Sequence, residues 1–442
     1  MTRAFRLVAT TCAAVATLTS SAFAQTLAPA AAKIDAADTA WMLGATGLVL
    51  MMTIPGLALF YAGMVRKKNV LATMAQCMAA TFLVSILWAA IGYSLAFTGD
   101  GAYIGGLERI FLNGVTLEAI SPLAKTIPES LFMIYQMTFA IITVALVAGS
   151  VADRMRFSAF LLFCVFWLLL VYVPIAHWVW GGGFLGTSGV IDFAGGLVVH
   201  VNAGVAGLVA ATVVGKRRGY GSENLSPHDL TLAVIGTGLL WVGWFGFNGG
   251  SALGANSRAA MAIVSTHLAA SAGAFTWMAL EWWIRGKPSV LGMISGAVAG
   301  LGTITPASGF VMPMQGVMIG IAAGGICFWA CTWLKTKLGY DDSLDVFGVH
   351  GIGGLTGTFL AGVLAVGALS VSPETPAGIS GLLEGNPGLV LTQLYGIAVV
   401  LLWSGGATYL ILKLIGIMVP LRVRHEDEIM GLDVSQHGEA LQ

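Results

Sequence analysis

Residues 192–204 read DFAGGLVVHVNAG, and residues 345–354 read DVFGVHGIGG. Each stretch places one histidine, His200 or His350, among apolar and glycine residues and downstream of an aspartate. An ionisable side chain at membrane depth is costly, and such side chains usually pair with one another or line a polar path. We therefore expect the two histidines to lie on a path through a membrane-embedded bundle.

The composition of the whole chain supports a membrane location for these stretches. Of 442 residues, 57% are apolar and only 10% are charged, and the mean hydropathy is +0.86, whereas soluble domains are about 25% charged. The formal net charge is zero and no basic run exceeds three residues, so the chain lacks the electrostatic footprint of a nucleic-acid-binding protein. We predict an all-α polytopic membrane protein without a sizeable extramembrane domain.

The first 24 residues have the features of a secretory signal peptide. Arg3 and Arg6 precede an apolar stretch, and Ala-Phe-Ala at 22–24 forms a small-residue cleavage site. The alternative is a short uncleaved anchor. We predict a signal peptide over 1–24 and a short extracytoplasmic segment over 25–39. The cysteines beyond it lie in apolar spans and form no disulfide or metal framework, so we expect no metal site and no cofactor.

Eleven apolar segments are long enough to cross a bilayer as helices. Together they predict a membrane domain over 40–415, followed by a cytoplasmic tail over 416–442. The segments are 40–64, 70–97, 127–150, 157–176, 192–214, 229–250, 259–283, 288–306, 311–334, 345–369 and 389–415.

Basic residues test this map because they collect on the cytoplasmic side of membrane proteins. Fifteen Lys and Arg residues follow odd-numbered segments, and only four fall on the other side. The fifteen are Arg66, Lys67, Lys68, Arg154, Arg156, Lys216, Arg217, Arg218, Arg285, Lys287, Lys335, Lys337, Lys413, Arg422 and Arg424, and the four are Lys33, Arg109, Lys125 and Arg258. The tally predicts an amino terminus outside and a carboxyl terminus inside, in agreement with the signal peptide.

The two histidines fall in the fifth and tenth segments, five segments apart. Two five-helix halves of this kind cross the membrane in opposite directions, so we expect two inverted repeats plus one peripheral helix. The halves share only a short similarity: His200-Val-Asn-Ala-Gly matches His350-Gly-Ile-Gly-Gly, and Asp192 and Asp345 precede the histidines at different distances. In inverted-repeat transporters the substrate site lies near the midplane between the repeats.

A histidine pair buried among apolar residues should be uncharged at neutral pH, because desolvation and mutual repulsion disfavour the charged form. Such a pair shares one hydrogen bond and still offers a donor and an acceptor to a small polar molecule. Two other interpretations stay open at this point. Each histidine could satisfy a backbone carbonyl, or the two could hold a bis-histidine haem.

Aromatic residues cluster near the outer ends of several segments, where a cage of ring faces attracts a cation. Phe139, Trp180 and Phe247 are the candidates, and Ser251 adds a hydroxyl acceptor. The alternative for these rings is an interfacial aromatic belt. Asp192 begins the fifth segment and either caps its exposed amides or supplies negative charge that favours a cation outside.

Eight motifs in order resemble the ammonium transporter (Amt/Mep/Rh) family, and most closely its bacterial Amt-type members. The resemblance covers residues 38–440 and implies a homotrimer of eleven-helix protomers, each with its own pore. The motifs are MTIPGLALFYAGMVRKKNVL, RFSAFLLF, PIAHWVWGGG, DFAGGLVVHVNAGVAGL, GWFGFNGGSA, GKPS, DVFGVHGIGG and GLDVSQHGE.

The resemblance also implies roles for individual residues. It makes Trp180, Phe139 and Ser251 the outer ammonium-binding site, with Asp192 as the acidic residue that supports this site and is needed for transport. It makes stacked Phe139 and Phe247 a gate. It makes His200 and His350 the lining of a narrow apolar pore.

The family is held to deprotonate ammonium, to conduct ammonia and in many members to return the proton separately, which gives net electrogenic uptake. The resemblance further implies a bacterial cytoplasmic (inner) membrane location among membrane lipid, a PII-type signalling protein as a partner on the cytoplasmic face, no enzymatic activity, and an ordered tail that touches a neighbouring subunit. The alternative function is an ammonium sensor that retains the fold. Only about 25 residues follow the last segment, so we expect no attached signalling domain.

Overall fold

The computed structural model describes residues 32–372 and 375–441, and the regular structure in them is helical apart from one isolated bridge between Met155 and Arg422. The predicted signal peptide and residues 25–31 lie outside the described residues. The helical, polytopic fold class predicted from composition is therefore confirmed.

Eleven helices correspond one by one to the eleven predicted segments. Two short helices, α12 and α13, follow them in the tail. The helices are α1 (Ala36–Met64), α2 (Lys67–Phe97), α3 (Glu129–Val151), α4 (Phe157–Thr187), α5 (Gly196–Val214), α6 (Leu230–Gly250), α7 (Ser257–Arg285), α8 (Val290–Ile304), α9 (Pro313–Leu338), α10 (Phe347–Leu364), α11 (Pro387–Met418), α12 (His425–Met430) and α13 (Leu432–His437).

Ten of these helices are long and apolar enough to span a membrane, whereas α8 has only 15 residues. At a rise of about 1.5 Å per residue, α8 is roughly 22 Å long and falls short of the hydrocarbon core. The sequence predicts this helix to continue to residue 306, but the chain turns at 305–311 instead. The Pro306 carbonyl there accepts a hydrogen bond from the Phe193 amide, so this turn packs against the start of the fifth span.

Several spans contain wide π-helical turns, which often occur at functional sites. The turns at the starts of α5 and α10 hold the two histidines and are followed in each case by 13 residues of regular α-helix. Helices α4 and α9 also share a five-residue π turn, at Leu168–Tyr172 and Ala330–Leu334. The two halves therefore repeat local irregularities that their sequences do not reveal.

Helices α5 and α10 cross in opposite directions at the centre of the bundle. The first turn of α5 packs against the later part of α10, and the first turn of α10 packs against the later part of α5. This reciprocal packing is the arrangement that two inverted halves require at their interface. Helix α11 packs against both α5 and α10 from outside, as expected of a peripheral helix.

The basic loops gather at one end of the bundle around buried Arg154. Its guanidinium donates hydrogen bonds to the carbonyls of Gly215 and Asp341 and to the Ser343 hydroxyl. Arg217 forms a bidentate ion pair with Asp341, with a shortest N–O distance of 2.7 Å. Because a buried charge is tolerated only when it is paired and hydrogen-bonded, these contacts hold the loops of both halves together.

The tail is ordered and docks on its own chain at the start of α2. The Asp433 carboxylate accepts a hydrogen bond from the Ala72 amide at 2.7 Å, and Asn69 Oδ1 accepts one from the Leu432 amide at 2.8 Å. Each helix start is thus capped by a side chain of the other segment. The predicted order of the tail has a physical cause, while the contact with a neighbouring subunit stays a prediction.

We expect Asp433→Ala to loosen both the tail and the first turn of α2. Loss of a helix cap costs about 1 kcal/mol, which corresponds to roughly five-fold faster local amide exchange. Hydrogen exchange measured by mass spectrometry over 69–74 and 425–437 tests this expectation. Asp433→Asn is the control, because its amide oxygen still accepts the Ala72 hydrogen bond; equal exchange in the two variants would contradict the capping role.

Candidate functional site

An outer cavity of about 270 Å³ is lined by Phe139, Trp180 and Ser251, the three residues predicted to bind the cation. The Trp180 ring meets the Phe139 ring edge-on, with centroids 5.8 Å apart and planes at 89°. The structure thus brings together residues from the end of α4, the middle of α3 and the end of α6. Phe97, Phe132 and Phe193 line the same cavity.

Hydrogen bonds fix the polar edges of this cavity. The Trp180 indole donates to the Asp192 carbonyl at 2.8 Å, and the Ser251 hydroxyl donates to the Phe247 carbonyl at 2.8 Å. The Ser251 proton is therefore committed to the helix end, so its oxygen is available as an acceptor. An aromatic cavity with one hydroxyl acceptor suits a small cation that donates hydrogen bonds.

Phe139 and Phe247 close the floor of the outer cavity. Their rings stack with centroids 4.2 Å apart and planes at 24°, and each side chain is about 1% exposed. Phe139 lines the outer cavity, and Phe247 lines the next cavity inward. The stacked pair therefore separates two compartments, as a gate must.

The next compartment is a narrow apolar cavity of about 10 Å³, roughly the volume of one water probe. His200 and His350 are its only ionisable lining residues among the described part of the chain. The other lining residues are Met52, Leu57, Phe60, Ile142, Leu146, Val199, Leu240, Trp244, Phe247 and Val298. A hydrated cation finds almost nothing here to replace its water.

The two histidines bond to each other through their Nδ1 atoms, which lie 3.2 Å apart. Their rings are nearly parallel, at 12°, so one Nδ1 donates and the other accepts. His200 Nε2 is buried and has no hydrogen-bond partner among the described residues. The Nδ1 atoms therefore do not bond to backbone carbonyls. A metal bound by two imidazoles at about 2 Å each needs roughly 4 Å between the two ligand nitrogens. The separation of 3.2 Å between the Nδ1 atoms is too short for a metal held by both.

Neighbouring elements fix the orientation of the pair. Trp244 stacks on His200 with ring centroids 5.5 Å apart, and its indole donates to Thr305 Oγ1 at 2.9 Å. A Cβ built on Gly204 would lie 2.2 Å from the Gly351 amide nitrogen, and one on Gly354 would lie 2.9 Å from the Val201 amide nitrogen. Only glycine at these two positions allows the histidine-bearing turns to approach so closely.

An inner cavity of about 220 Å³ begins where the narrow cavity ends. His350, Phe60 and Val298 line both, and Asp345 and Glu281 line the inner one. The outer cavity, the phenyl stack, the histidine pair and the inner cavity thus follow one another along a single path.

Asp192 does not line the outer cavity. Its buried carboxylate accepts hydrogen bonds from four consecutive amides at the start of α5, at distances of 2.6–3.1 Å. Asp192 is therefore a cap of α5 that also holds Trp180 through its carbonyl. Direct binding of a cation by its carboxylate stays a prediction.

The residue that matches Asp192 in the second half is Asp342, so the sequence comparison with Asp345 is wrong. The Asp342 carboxylate accepts a hydrogen bond from the Phe347 amide at the start of α10. Asp345 has a positive φ of 58° and pairs instead with Lys335 at 2.6 Å. Asp341, Asp342 and Asp345 lie within five positions of one another, and only the structure separates their roles.

Sequence reasoning gave no role to three further residues along the path, although Trp244 belongs to the aromatic cluster that also contains Phe247. Gln136 lines the outer cavity, Phe60 lines the narrow and inner cavities, and Trp244 stacks on His200. Gln136 lies three residues before Phe139 and so shares its helix face. That spacing is a signal that could have identified it, because an amide in an apolar helix needs a polar neighbour.

Fold and site together define a polytopic helical membrane protein with a series of cavities that are largely apolar at the centre and are divided by two stacked phenyl rings. The sequence profile of the Ammonium Transporter Family matches residues 40–441. An ammonium transporter of Bacillus subtilis is 48% identical over 402 residues, which cover 91% of this chain and 97% of that protein. The chain belongs to the ammonium transporter family.

Two solved structures share the fold. The crystal structure of Saccharomyces cerevisiae Mep2 matches with a TM-score of 0.81 and 38% identity over 89% of this chain and 88% of that one. A structure described as a sensor Amt protein matches with a TM-score of 0.82 and 27% identity over 91% of this chain and 98% of that one.

We expect Gly204→Ala and Gly354→Ala to abolish most transport, because a methyl group would push the histidine-bearing turns apart. Overpacking of this kind costs about 1–3 kcal/mol, and uptake of labelled methylammonium should fall roughly ten-fold or more. Gly406→Ala on α11 is the control, since a Cβ there meets no atom within 4 Å. Normal uptake by both variants at normal membrane abundance would show that the close crossing is unnecessary.

Proposed function

We propose that this chain is an ammonium transporter that recruits ammonium at the outer aromatic cavity, separates it from its proton and conducts ammonia past the histidine pair. The observation that carries this proposal is the change of chemistry along the path. A cavity suited to a cation is followed, behind two stacked phenyl rings, by a compartment that offers a cation almost nothing.

Recruitment rests on Trp180, Phe139 and Ser251. Ring faces attract a cation by about 0.5–2 kcal/mol, more when the site is desolvated. The Ser251 oxygen accepts one hydrogen bond from ammonium. Asp192 supports the site indirectly, because it anchors the Trp180 indole and places a negative charge near the outer cavity.

Ammonium must lose its proton because moving its charge into the narrow apolar cavity is too costly. An isolated ion in a low-dielectric interior costs tens of kcal/mol by Born estimates, whereas neutral ammonia loses only its hydrogen bonds with water. Ammonium therefore gives up its proton to water in the outer cavity, beside the phenyl gate, as NH₄⁺ + H₂O → NH₃ + H₃O⁺. The proton crosses separately, so that uptake is electrogenic.

The histidine pair serves the neutral molecule within the narrow cavity. One Nδ1 proton is held between His200 and His350, and the free His200 Nε2 offers a hydrogen bond to ammonia. A chain of hydrogen bonds through two imidazoles also provides a path along which a proton moves. The pair is thus suited to pass ammonia and to relay charge.

The proposal also covers the topology, the membrane location and the partners of the protein. We place the amino terminus outside and the basic end with the tail in the cytoplasm of a bacterium, with the signal peptide removed and the protein in the inner membrane. Support comes from the common location of the basic loops, the inner cavity and the tail at one end of the bundle. We propose a homotrimer, and a PII-type protein that covers the inner cavity.

An ammonium sensor is the second candidate, because a structure described as a sensor Amt protein has the same fold. Uptake separates the two functions. A sensor needs to bind ammonium but not to pass it, whereas a transporter accumulates methylammonium in cells that lack other ammonium carriers.

We expect Phe247→Ala to weaken exclusion of other cations, because loss of the ring joins the outer and narrow cavities. In vesicles carrying the wild-type protein, ammonium should give a current and potassium should not. Potassium current relative to ammonium current should rise roughly ten-fold in the variant.

Phe245→Ala is the matched control for this experiment. Phe245 lies on the same helix, but its ring contacts His267 rather than the path. If Phe247→Ala retains wild-type selectivity while conducting normally, the phenyl stack is not the gate. If the wild-type protein passes no ammonium, the transporter proposal itself fails.

A further inference from the structure

The two halves share a three-residue pattern that neither apolar periodicity nor local identity reveals. Asp192, His200 and Gly204 have the same spacing as Asp342, His350 and Gly354. In both halves the aspartate precedes the helix, the histidine lies in its first turns, and the glycine allows the crossing. The pattern therefore describes one structural unit used twice in opposite directions.

The two aspartates share one equivalent hydrogen bond to the helix starts. Asp192 Oδ2 accepts from the Leu197 amide at 2.8 Å, and Asp342 Oδ2 accepts from the Phe347 amide at 2.7 Å, in each case five residues onward. Asp342 is fully buried, and its Oδ1 has no hydrogen-bond partner among the described residues. The inner carboxylate is thus less fully satisfied by amides than the outer one.

The location of the histidines makes the charge of both aspartates important. A helix start carries roughly half a positive charge, which fades within the first turn. His200 and His350 lie within the first turns of α5 and α10, and those turns cross. Two partial positive charges therefore surround the histidine pair and disfavour a proton on it, and the two carboxylates offset them.

Other charged and titratable groups face Asp342 from the elements packed against it. Lys335 on α9 donates to the Asp342 carbonyl and to the Asp345 carboxylate, both at 2.6 Å. Arg154 from the loop after α3, together with Tyr61, Tyr340 and Cys331, completes these surroundings. Burial raises the pKa of the Asp342 carboxyl, while the Lys335 ammonium opposes that rise.

We propose that Asp342 is a positioning residue for charge movement: it holds the turn that bears His350 and, with Asp192, stabilises a proton on the histidine pair. The inference rests on the proposed transport function and extends it. Conduction of neutral ammonia does not need the negative charge of Asp342, whereas movement of the proton through the histidine pair does.

The test is made on the full chain in proteoliposomes. Asp342→Asn keeps the size of the side chain and an acceptor for the Phe347 amide but removes the charge. We expect the ammonium current to fall roughly ten-fold, and its pH of half-maximal current to move about one unit toward acid, because the relay then holds its proton only at lower pH. Ammonia conduction, followed by internal alkalinisation under an ammonia gradient, should stay within about two-fold of wild type.

Two variants keep this test specific. Asp342→Glu keeps the charge and should return the pH midpoint to the wild-type value, a readout that does not depend on the amount of folded protein. Asp229→Asn removes a capping carboxylate from the start of α6, which lines none of the three cavities of the path, and it should leave the midpoint unchanged.

The possible results distinguish failure of the role proposed for Asp342 from failure of the proposed transport function. A wild-type pH midpoint in Asp342→Asn would overturn the inference, as would a parallel loss of current and ammonia conduction or an equal shift in Asp229→Asn. Absence of any ammonium current in the wild-type protein would instead overturn the proposed electrogenic transport.

Discussion

The close antiparallel crossing of α5 and α10 is the constraint on which the rest of this structure depends. It joins the Nδ1 atoms of His200 and His350 at 3.2 Å and is possible because Gly204 and Gly354 lack side chains where the two backbones meet. Capping aspartates hold both helix starts, and α11 supports the crossing from outside. The pair of inverted halves thus gives two imidazoles in an apolar interior one shared hydrogen bond, and it leaves His200 Nε2 without a partner among the described residues.

In the proposed function, selectivity for ammonium follows from the order of environments along the path. The outer cavity offers ring faces and a hydroxyl, and the compartment behind the Phe139–Phe247 stack offers apolar walls and neutral imidazoles. A cation that cannot lose its charge is stabilised in the outer cavity, but the narrow apolar cavity offers it no favourable contacts. Ammonium differs from an alkali cation of similar size because it can leave its proton behind.

Much of this arrangement could be predicted from sequence, because hydropathy and basic-residue counts depend on chain order alone. Those signals define the spans, the common location of the basic loops and the pairing of His200 with His350. The π turns, the early end of α8 and the identity of the inner capping aspartate could not be predicted, because they depend on contacts between the halves. Asp342 is one of three aspartates within five residues, and the sequence does not show which of them caps α10. The only sequence signal for Gln136 is its position on the same helix face as Phe139.

In the proposed function, ammonium is separated into ammonia and a proton, and the two cross the membrane by related but distinct steps. The most direct measurement records current and nitrogen entry together in proteoliposomes that carry the wild-type protein under an ammonium gradient. We expect an inward positive current that rises in step with nitrogen entry, and no current under an equal potassium gradient. Nitrogen entry without current would show that ammonia crosses without a proton, and an equal current with potassium would show that the path does not exclude other cations.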